Sequence, residues 1–151
     1  MFAIGLSSVY DLARDGMVYS DTPVFNRSGK FRMLTSDVKF ELSNGKYLVI
    51  KRGFKWDENS IPYVFQWAFP KSGIYAVPAL IHDALYYLTS GDRDFADMEF
   101  CIWMCALRIR VRQVMFRFIA VHLFGGRWWN RNMYNPSKLC LQNREFIELY
   151  G

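Results

Sequence analysis

The order of two hydrophobic patterns along the chain most constrains its fold. Up to residue 50 the clearest apolar residues alternate with polar ones, and from residue 79 onward they recur at helical spacing. Alternation is typical of strands with one buried face, whereas the second pattern is typical of helices that bury one stripe. Strands followed by helices predict the α+β class, with an N-terminal β-hairpin or small antiparallel sheet packed on about three C-terminal helices.

The strand block contains a β-hairpin. Residues 38–42 read Val-Lys-Phe-Glu-Leu, and residues 47–50 read Tyr-Leu-Val-Ile. The linker between them, Ser43–Lys46, contains an Asn-Gly pair, which supplies the positive φ angles of a type I′ turn. The sequence therefore predicts two antiparallel strands joined by a tight turn at this linker.

Three helices are predicted in the second block, and their expected ranges are 79–88, 93–107 and 110–124. Pro78 suits the first turn of the first helix, and Gly91 suits its end. Asp92 is a good N-cap for the second helix. We expect the third helix to stop at the glycine pair Gly125-Gly126.

The length of the chain fits one domain, 1–151. We interpret residues 1–30 as an N-terminal extension, 31–129 as the core and 130–151 as a C-terminal tail. No apolar run reaches the roughly 18 residues that a membrane span needs. The N-terminal residues lack the pattern of a secretion signal, so we expect synthesis and folding in a cytoplasm.

Positive charge is concentrated in one part of the chain. The net charge is +5, and the arginines that cluster are Arg108, Arg110, Arg112, Arg117, Arg127 and Arg131. A basic face attracts phosphate, on nucleic acid or on lipid head groups, and it can equally be a solvated helix face. Nucleic acid is not expected as a partner, because the usual recognition motifs are absent.

Apolar residues are more abundant than one small core needs. Hydrophobic residues make up 52% of the chain and aromatic residues 18%. This excess predicts an interface with another protein, with further copies of the chain, or with a lipid surface. The cysteines form no disulfide framework, and we interpret Cys101 and Cys105 as small core residues rather than zinc ligands.

One group of residues concentrates the polar chemistry of the chain. His82 and Asp83 are adjacent, so on a helix they point about 100° apart. Tyr86 lies four residues after His82 and shares its face. Because Gly91 makes the connection to the next helix short, Asp97 is expected to lie close to His82 or Asp83. A histidine held by a carboxylate is the basic unit of a general base that activates water.

This group has two interpretations. A second carboxylate near His82 could hold calcium, with Asp83 and Asp57 as candidate ligands and no cofactor certain. The alternative is a buried hydrogen-bond network that only joins two helices. Ser60 and Asp57 lie in an aromatic loop that could complete the site or form a local turn. His122 is interpreted as a helix C-terminal residue near carbonyls.

An ordered series of short motifs resembles a known family. The series runs Gly53-Phe54, Asp57, Ser60-Ile61-Pro62, Ala79-Leu80-Ile81-His82-Asp83-Ala84-Leu85-Tyr86, Arg93, Ala96-Asp97, Phe100, Met104, Ala120-Val121, Phe124-Gly125 and Trp128. In this order the motifs resemble the phage and prophage domain-of-unknown-function family thirteen-fifty-three over about residues 31–129. The resemblance implies a phage or prophage origin and no particular reaction. For a protein of that origin we expect synthesis in the host cytoplasm and a place in the virion.

The aromatic loop departs from the usual pattern of that family. The family's loop usually reads Thr-Asp-Gly-Ala-Ser, whereas here Trp56 replaces the Thr, Glu58 the Gly and Asn59 the Ala. Asp57 and Ser60 match the pattern. A glycine at this place could provide a special backbone angle or a close approach to a ligand, which Glu58 would not.

The helix pair is also similar, over a short stretch, to that of secreted and parvoviral phospholipases A2. The shared elements are His82-Asp83-x-x-Tyr86 and the later Asp97. The similarity implies that His82 is the base, Asp83 a calcium ligand and Asp97 the residue that orients His82. The glycine-rich calcium loop of those enzymes is not evident in this sequence.

Two functions from different classes follow from these features. The first is a virion or assembly protein, in the tail or elsewhere in the particle, that contacts other phage structural proteins or copies of itself. The second is a metal-assisted hydrolase that acts on an ester or amide at the bacterial envelope. The hydrolase requires His82 to lie in a cleft that solvent can reach, with Asp97 within hydrogen-bond distance.

Overall fold

A computed structural model describes residues 3–6, 25–28, 31–57 and 75–151 of the protein. Within them the first strands are β1 (Ala3–Ile4), β2 (Phe25–Ser28), β3 (Phe31–Leu34), β4 (Val38–Glu41), β5 (Tyr47–Ile50) and β6 (Lys55–Asp57). The helices are α1 (Ala76–Leu88), α2 (Arg93–Ala106), α3 (Val111–Phe124), α4 (Gly126–Tyr134) and α5 (Lys138–Arg144), and strand β7 (Ile147–Tyr150) follows them. The arrangement is α+β, with a small N-terminal sheet packed on helices that are mostly C-terminal, as the order of patterns predicts.

The strands form two sheets in the described part of the chain. One has the order β1-β4-β5-β7, with β1 parallel to β4 and the other neighbours antiparallel. The second is antiparallel, with the order β2-β3-β6. Strand β6, which ends at Asp57, is the last strand before α1 in the described part of the chain.

The predicted hairpin is β4-β5, in the register Val38↔Ile50 to Glu41↔Tyr47. The type I′ turn was a wrong prediction. The Gly45 N–H donates to Leu42 O (3.0 Å), and Gly45 alone in the turn has a positive φ, of 82°. A three-residue loop allows a type I turn followed by one left-handed glycine, so Asn44 keeps a negative φ.

The helix ends differ in detail from the prediction. Helix α1 begins at Ala76 and places Pro78 inside its first turn, where a missing N–H breaks no hydrogen bond. Its left-handed C-cap is Thr89, with a φ of 44°, rather than Gly91. Asp92 caps α2 as predicted, because its carboxylate accepts from the Asp94 N–H (3.0 Å).

The glycine pair after α3 ends that helix as predicted, since α3 runs to Phe124, and α4 begins directly afterwards at Gly126. A side chain at Gly125 would collide with the Tyr86 hydroxyl on α1. The α3–α4 junction therefore packs closely on α1. Local sequence did not predict the helix that follows the pair.

The C-terminal segment interpreted from sequence as a tail contributes α5 and β7. Strand β7 pairs with β5 from Tyr47↔Tyr150 to Ile50↔Ile147. The Asn143 side chain donates to Lys55 O (2.8 Å) and accepts from the Lys55 N–H (3.1 Å), as a neighbouring strand would. The segment therefore closes one edge of the larger sheet and holds β6.

The core lies between the larger sheet and α1–α3. Phe40 on β4 meets Trp103 on α2 edge to face, with ring centroids 5.6 Å apart. Cys140 is buried, but Cys105 is exposed, so the prediction that Cys101 and Cys105 are both core residues was wrong for Cys105. None of the described helices combines the length and hydropathy that crossing a membrane requires.

Glu99, a carboxylate that sequence patterns did not single out, joins the hairpin to α2. It lies on α2 with no exposed surface. Its Oε1 accepts from the Ser43 N–H (2.8 Å) and from the Ser43 hydroxyl, and its Oε2 accepts from Trp103 Nε1 (3.0 Å). A buried carboxylate with this many donors is a structural link between the turn of the hairpin and the helix layer.

Candidate functional site

The predicted polar group is assembled where α1 packs on α2. His82 and Tyr86 lie one turn apart on α1 and both reach Asp97 on α2. The His82 Nε2 lies 2.9 Å from Asp97 Oδ1, and the Tyr86 hydroxyl donates to the same oxygen at 2.6 Å. His82 is 4% exposed and Asp97 is 0% exposed. One carboxylate oxygen therefore holds two side chains of the facing helix away from solvent.

The second nitrogen of the imidazole faces another carboxylate. His82 Nδ1 lies 3.6 Å from Asp83 Oδ1, which is an ion-pair distance rather than a hydrogen bond. Asp83 Oδ2 accepts from the Trp56 indole at 2.6 Å. Trp56 is one of the three positions where the chain departs from the loop pattern of the family that it resembles. Its indole therefore occupies one oxygen of the predicted calcium ligand.

The second oxygen of Asp97 faces cationic or titratable groups on two helices. His122 Nδ1 on α3 lies 3.5 Å from Asp97 Oδ2, and Arg93 Nε lies 4.0 Å from it. This oxygen is buried without a hydrogen bond. The Arg93 guanidinium also donates to His122 O (2.9 Å). Asp97 is thus the point where α1, α2 and α3 meet.

Helix α4 packs against the same group from the far side of Tyr86. The Trp129 ring meets the Tyr86 ring edge to face, with centroids 5.2 Å apart. The Asn132 amide donates to Tyr86 O at 3.0 Å. Together with the close approach of Gly125, these contacts tie α4 to α1. Contacts to His82, Tyr86 and Asp97 therefore connect the four helices α1, α2, α3 and α4.

The charges of the cluster stabilise its ionised form. Burial by itself would lower the pKa of His82, but the nearby carboxylates of Asp83 and Asp97 outweigh it and raise that pKa above 6.5. Burial would raise the pKa of Asp97, but His82, Tyr86 and Arg93 hold it below 3.8. The carboxylates therefore favour the protonated form of the His82 imidazole.

These shifts predict how stability depends on pH. The native state keeps the His82 proton above pH 6.5, where the unfolded chain releases it. The free energy of unfolding should therefore fall as pH rises from 6.5, by up to about 1.4 kcal/mol per pH unit, until His82 titrates in the folded protein. The contribution of Asp97 should be present above pH 3.8 and lost as pH falls below its native pKa.

Denaturant unfolding from pH 5.5 to 8.5 measures the His82 effect. We expect the decline to disappear in His82→Gln and to persist in His122→Gln, the matched change at the only other histidine of the chain. Unfolding free energies that rise over this range in the wild type would mean that His82 is neutral in the folded protein.

The candidate residues from sequence divide into three groups. His82, Tyr86 and Asp97 are brought together, and Asp83 stands at the other edge of the imidazole. The side chain of Asp57 and all of Ser60 lie outside the described residues, so their proposed roles stay predictions. His122 was missed as a member, because its place depends on how α3 crosses α2.

One oxygen of Asp83, a predicted calcium ligand, is already engaged by a donor. Calcium takes 6–8 oxygen ligands, and here the Trp56 indole N–H donates to Asp83 Oδ2 while the His82 ring lies beside Oδ1. Within the described ranges no three His, Cys, Asp or Glu side chains group as a metal site would. The other candidate ligand, Asp57, has its side chain outside the described residues, so the calcium site stays a prediction.

A second feature lies on the surface, on the side of α3 that faces away from the core. Val111, Met115, Phe116, Ile119 and Leu123 are exposed there, with exposed fractions from 48% to 73%. We call these residues the outer face of α3. The opposite side of the helix is buried through Val114, Ala120 and Val121. Helix α3 is thus apolar on both sides, which is unusual for a surface helix unless its outer side is covered.

Comparison with known proteins identifies a family. The model of a family described as "Protein of unknown function (DUF1353)" matches residues 32–121. This range contains the His82 cluster and most of the outer face of α3. No curated protein matches the chain, and no solved structure does.

Proposed function

The chain belongs to this DUF1353 family, and from its structure we propose that it is a non-catalytic assembly protein of a bacteriophage particle. The observation that carries the proposal is the outer face of α3, a row of large apolar side chains exposed on a well-packed helix. A contiguous apolar surface of this kind is typical of a protein interaction site. In this function the outer face of α3 packs against another protein molecule of the particle.

The His82 cluster supports a structural role rather than catalysis. A general base must reach its substrate and must be neutral when it accepts a proton. His82 is 4% exposed, and carboxylates of Asp83 and Asp97 lie within 3.6 Å and 2.9 Å of its two ring nitrogens. The cluster joins the helices that present α3. In this proposal the hydrogen bonds of the cluster hold α3 in position and perform no reaction.

The bacteriophage origin in this proposal rests on the family resemblance of the sequence. The ordered motifs from Gly53 to Trp128 resemble proteins of phages and prophages. A small, basic, aromatic-rich chain with an exposed apolar helix suits a particle component that makes permanent contacts. The site of action in this proposal is the tail or another part of the virion, after synthesis in the host cytoplasm.

Complementation tests the proposal. A phage that lacks the gene is supplied with the chain from a plasmid, and particle yield is measured. Ile119→Glu, which places a charge in the outer face of α3, should abolish complete particles while the purified variant stays folded. Leu141→Glu, at an exposed apolar residue of α5, is the matched control and should complement. Normal yield with Ile119→Glu would overturn the proposed role of this face.

A second candidate function is a phospholipase A2-like hydrolase. The specific observation in its favour is the hydrogen bonding of Asp97 Oδ1 to both His82 Nε2 and the Tyr86 hydroxyl. In this function Asp97 would orient His82. The burial of the imidazole and the engagement of Asp83 by Trp56 count against it.

A lipid-hydrolysis assay with calcium separates the two functions. The assembly function predicts no fatty-acid release by the wild type or by His82→Ala. Calcium-dependent release by the wild type that is lost in a folded His82 variant would establish the hydrolase and remove the non-catalytic proposal.

A further inference from the structure

We propose that the outer face of α3 binds the same face of a second copy of this chain, with the two α3 helices antiparallel. The inference rests on the proposed assembly function and names its partner. It is argued from the spacing of the apolar residues and from the charges at the two ends of the face.

The apolar residues are arranged symmetrically about the middle of the helix. Val111, Met115, Ile119 and Leu123 recur every four residues and span about 18 Å of helix. An antiparallel copy centred on residue 117 would place Val111 against Leu123 and Met115 against Ile119, in both directions. The face is therefore complementary to itself.

The two ends of the face differ in charge. Arg110 and Arg112 are exposed at the N-terminal end of α3. At the C-terminal end, the Asp94 carboxylate of α2 lies 3.9 Å from His122 Nδ1, and its side chain is 70% exposed. In the antiparallel pair, residue 112 of one copy is level with residue 122 of the other. Arg112 would therefore approach the Asp94 of the second copy, twice per dimer.

The backbone adds to the same complementarity. The N-terminal end of α3 has no acidic residue in its first turn and no side-chain cap. Its partial positive charge would lie beside the partial negative charge at the C-terminal end of the other α3. Arg127, exposed on α4, adds positive charge beyond the C-terminal end. Asp94 is nevertheless the exposed carboxylate that lies beside His122 at that end.

An anionic lipid surface fits the same face less well. A helix that lies on such a surface carries basic residues along its length, so that each meets a head group. Here the exposed arginines of α3 gather at one end, and Asp94 lies at the other. An anionic head group would repel the Asp94 carboxylate, whereas Arg112 of a second copy would attract it. The pattern of charge therefore favours pairing between copies.

Sedimentation equilibrium of the purified chain at low salt tests the inference. One helix face per copy makes a small interface, so we expect a monomer–dimer equilibrium in about the micromolar range. Ile119→Glu should weaken it about tenfold or more, because the charge would be buried at the centre of the contact. Leu141→Glu, on α5, should leave it unchanged.

Charge reversal identifies the partner and the orientation. Arg112→Asp and Asp94→Arg should each weaken the dimer by about fivefold, and the double variant should recover it, because the pair is re-formed across the interface. Binding to vesicles of anionic phospholipid distinguishes the lipid alternative. There Asp94→Arg should strengthen binding, so stronger vesicle binding with an unchanged dimer would overturn the inference.

The outcomes separate this inference from the proposed function. A chain that is monomeric at all concentrations, or a double variant no better than the single ones, contradicts pairing through α3. If Ile119→Glu still prevents particle formation in that case, the face binds a different particle protein and the assembly function stands. If Ile119→Glu dissociates the dimer but complements fully, the pairing is real and the assembly function of this face is wrong.

Discussion

Replacing Asp97 by alanine is expected to lower the free energy of unfolding by about 3–5 kcal/mol. The change removes the acceptor of both His82 Nε2 and the Tyr86 hydroxyl, and it leaves the buried imidazole facing Asp83 alone. It also removes the carboxylate that Arg93 and His122 approach. Breaking a buried ion pair from one side is costly because the remaining group stays desolvated.

Urea unfolding at pH 6 measures this loss. Asp94→Ala is the matched control, because Asp94 is an aspartate one turn earlier on α2 with an exposed side chain. It should cost no more than about 1 kcal/mol, from weaker interaction with the N-terminal end of the helix. Equal, small losses for the two variants would contradict the idea that Asp97 holds four helices together. A folded Asp97→Ala protein of near wild-type stability would revive the catalytic interpretation of the cluster.

Glu99→Ala is expected to lower the free energy of unfolding by about 2–4 kcal/mol. The change leaves the Trp103 indole N–H without its acceptor in the core, and it leaves the Ser43 N–H without its acceptor at the part-buried turn of the hairpin. Hydrogen bonds to a charged acceptor contribute more than neutral ones, and buried donors left unpaired add their desolvation cost. The turn of the β4-β5 hairpin should also lose its attachment to α2.

Denaturant unfolding together with hydrogen exchange of the Ser43 amide measures both effects. Glu145→Ala, at an exposed glutamate after α5, is the control and should change stability by less than about 0.5 kcal/mol. Faster exchange at Ser43 without a loss of global stability would mean that Glu99 orders only the turn. No change in either quantity would show that the carboxylate is not the acceptor of these donors.

The sequence predicts the parts of the cluster that depend on local spacing. Tyr86 is four residues after His82, so both face the same way on a helix. The short connection around Gly91 brings the next helix back, which places Asp97 opposite them. The hairpin is predictable for a similar reason, since alternation and an Asn-Gly linker are local signals.

Contacts set by packing between distant elements could not be predicted. Glu99 meets Ser43 across 56 positions of sequence, and Trp56 meets Asp83 across 27. Neither pair is marked by a spacing rule, because its geometry follows from how the sheet lies on the helices. A signal for Glu99 was its occurrence between the apolar residues of an amphipathic helix, which indicates a buried charge. Nothing local indicates that His122 reaches Asp97.

The aromatic excess of the sequence correctly anticipated that some apolar residues would remain uncovered. It did not indicate where, because strand and helix patterns do not distinguish a core stripe from an interface stripe. Helix α3 carries a buried apolar stripe and an exposed apolar stripe, on opposite sides. The same packing that fixes Asp97 and Gly125 determines which side of α3 faces outward. The cluster and the outer face of α3 are therefore two consequences of one helix arrangement.

Quantitative mass spectrometry of purified particles tests the central claim most directly, that the chain is a component of the particle and not an enzyme released during infection. Particles of the phage or induced prophage that encodes the chain are purified through a density gradient, and its peptides are counted against those of the capsid protein. The account predicts a fixed number of copies per particle, retained after washing at high salt. A chain that remains in the cell lysate and is absent from the particles would contradict it.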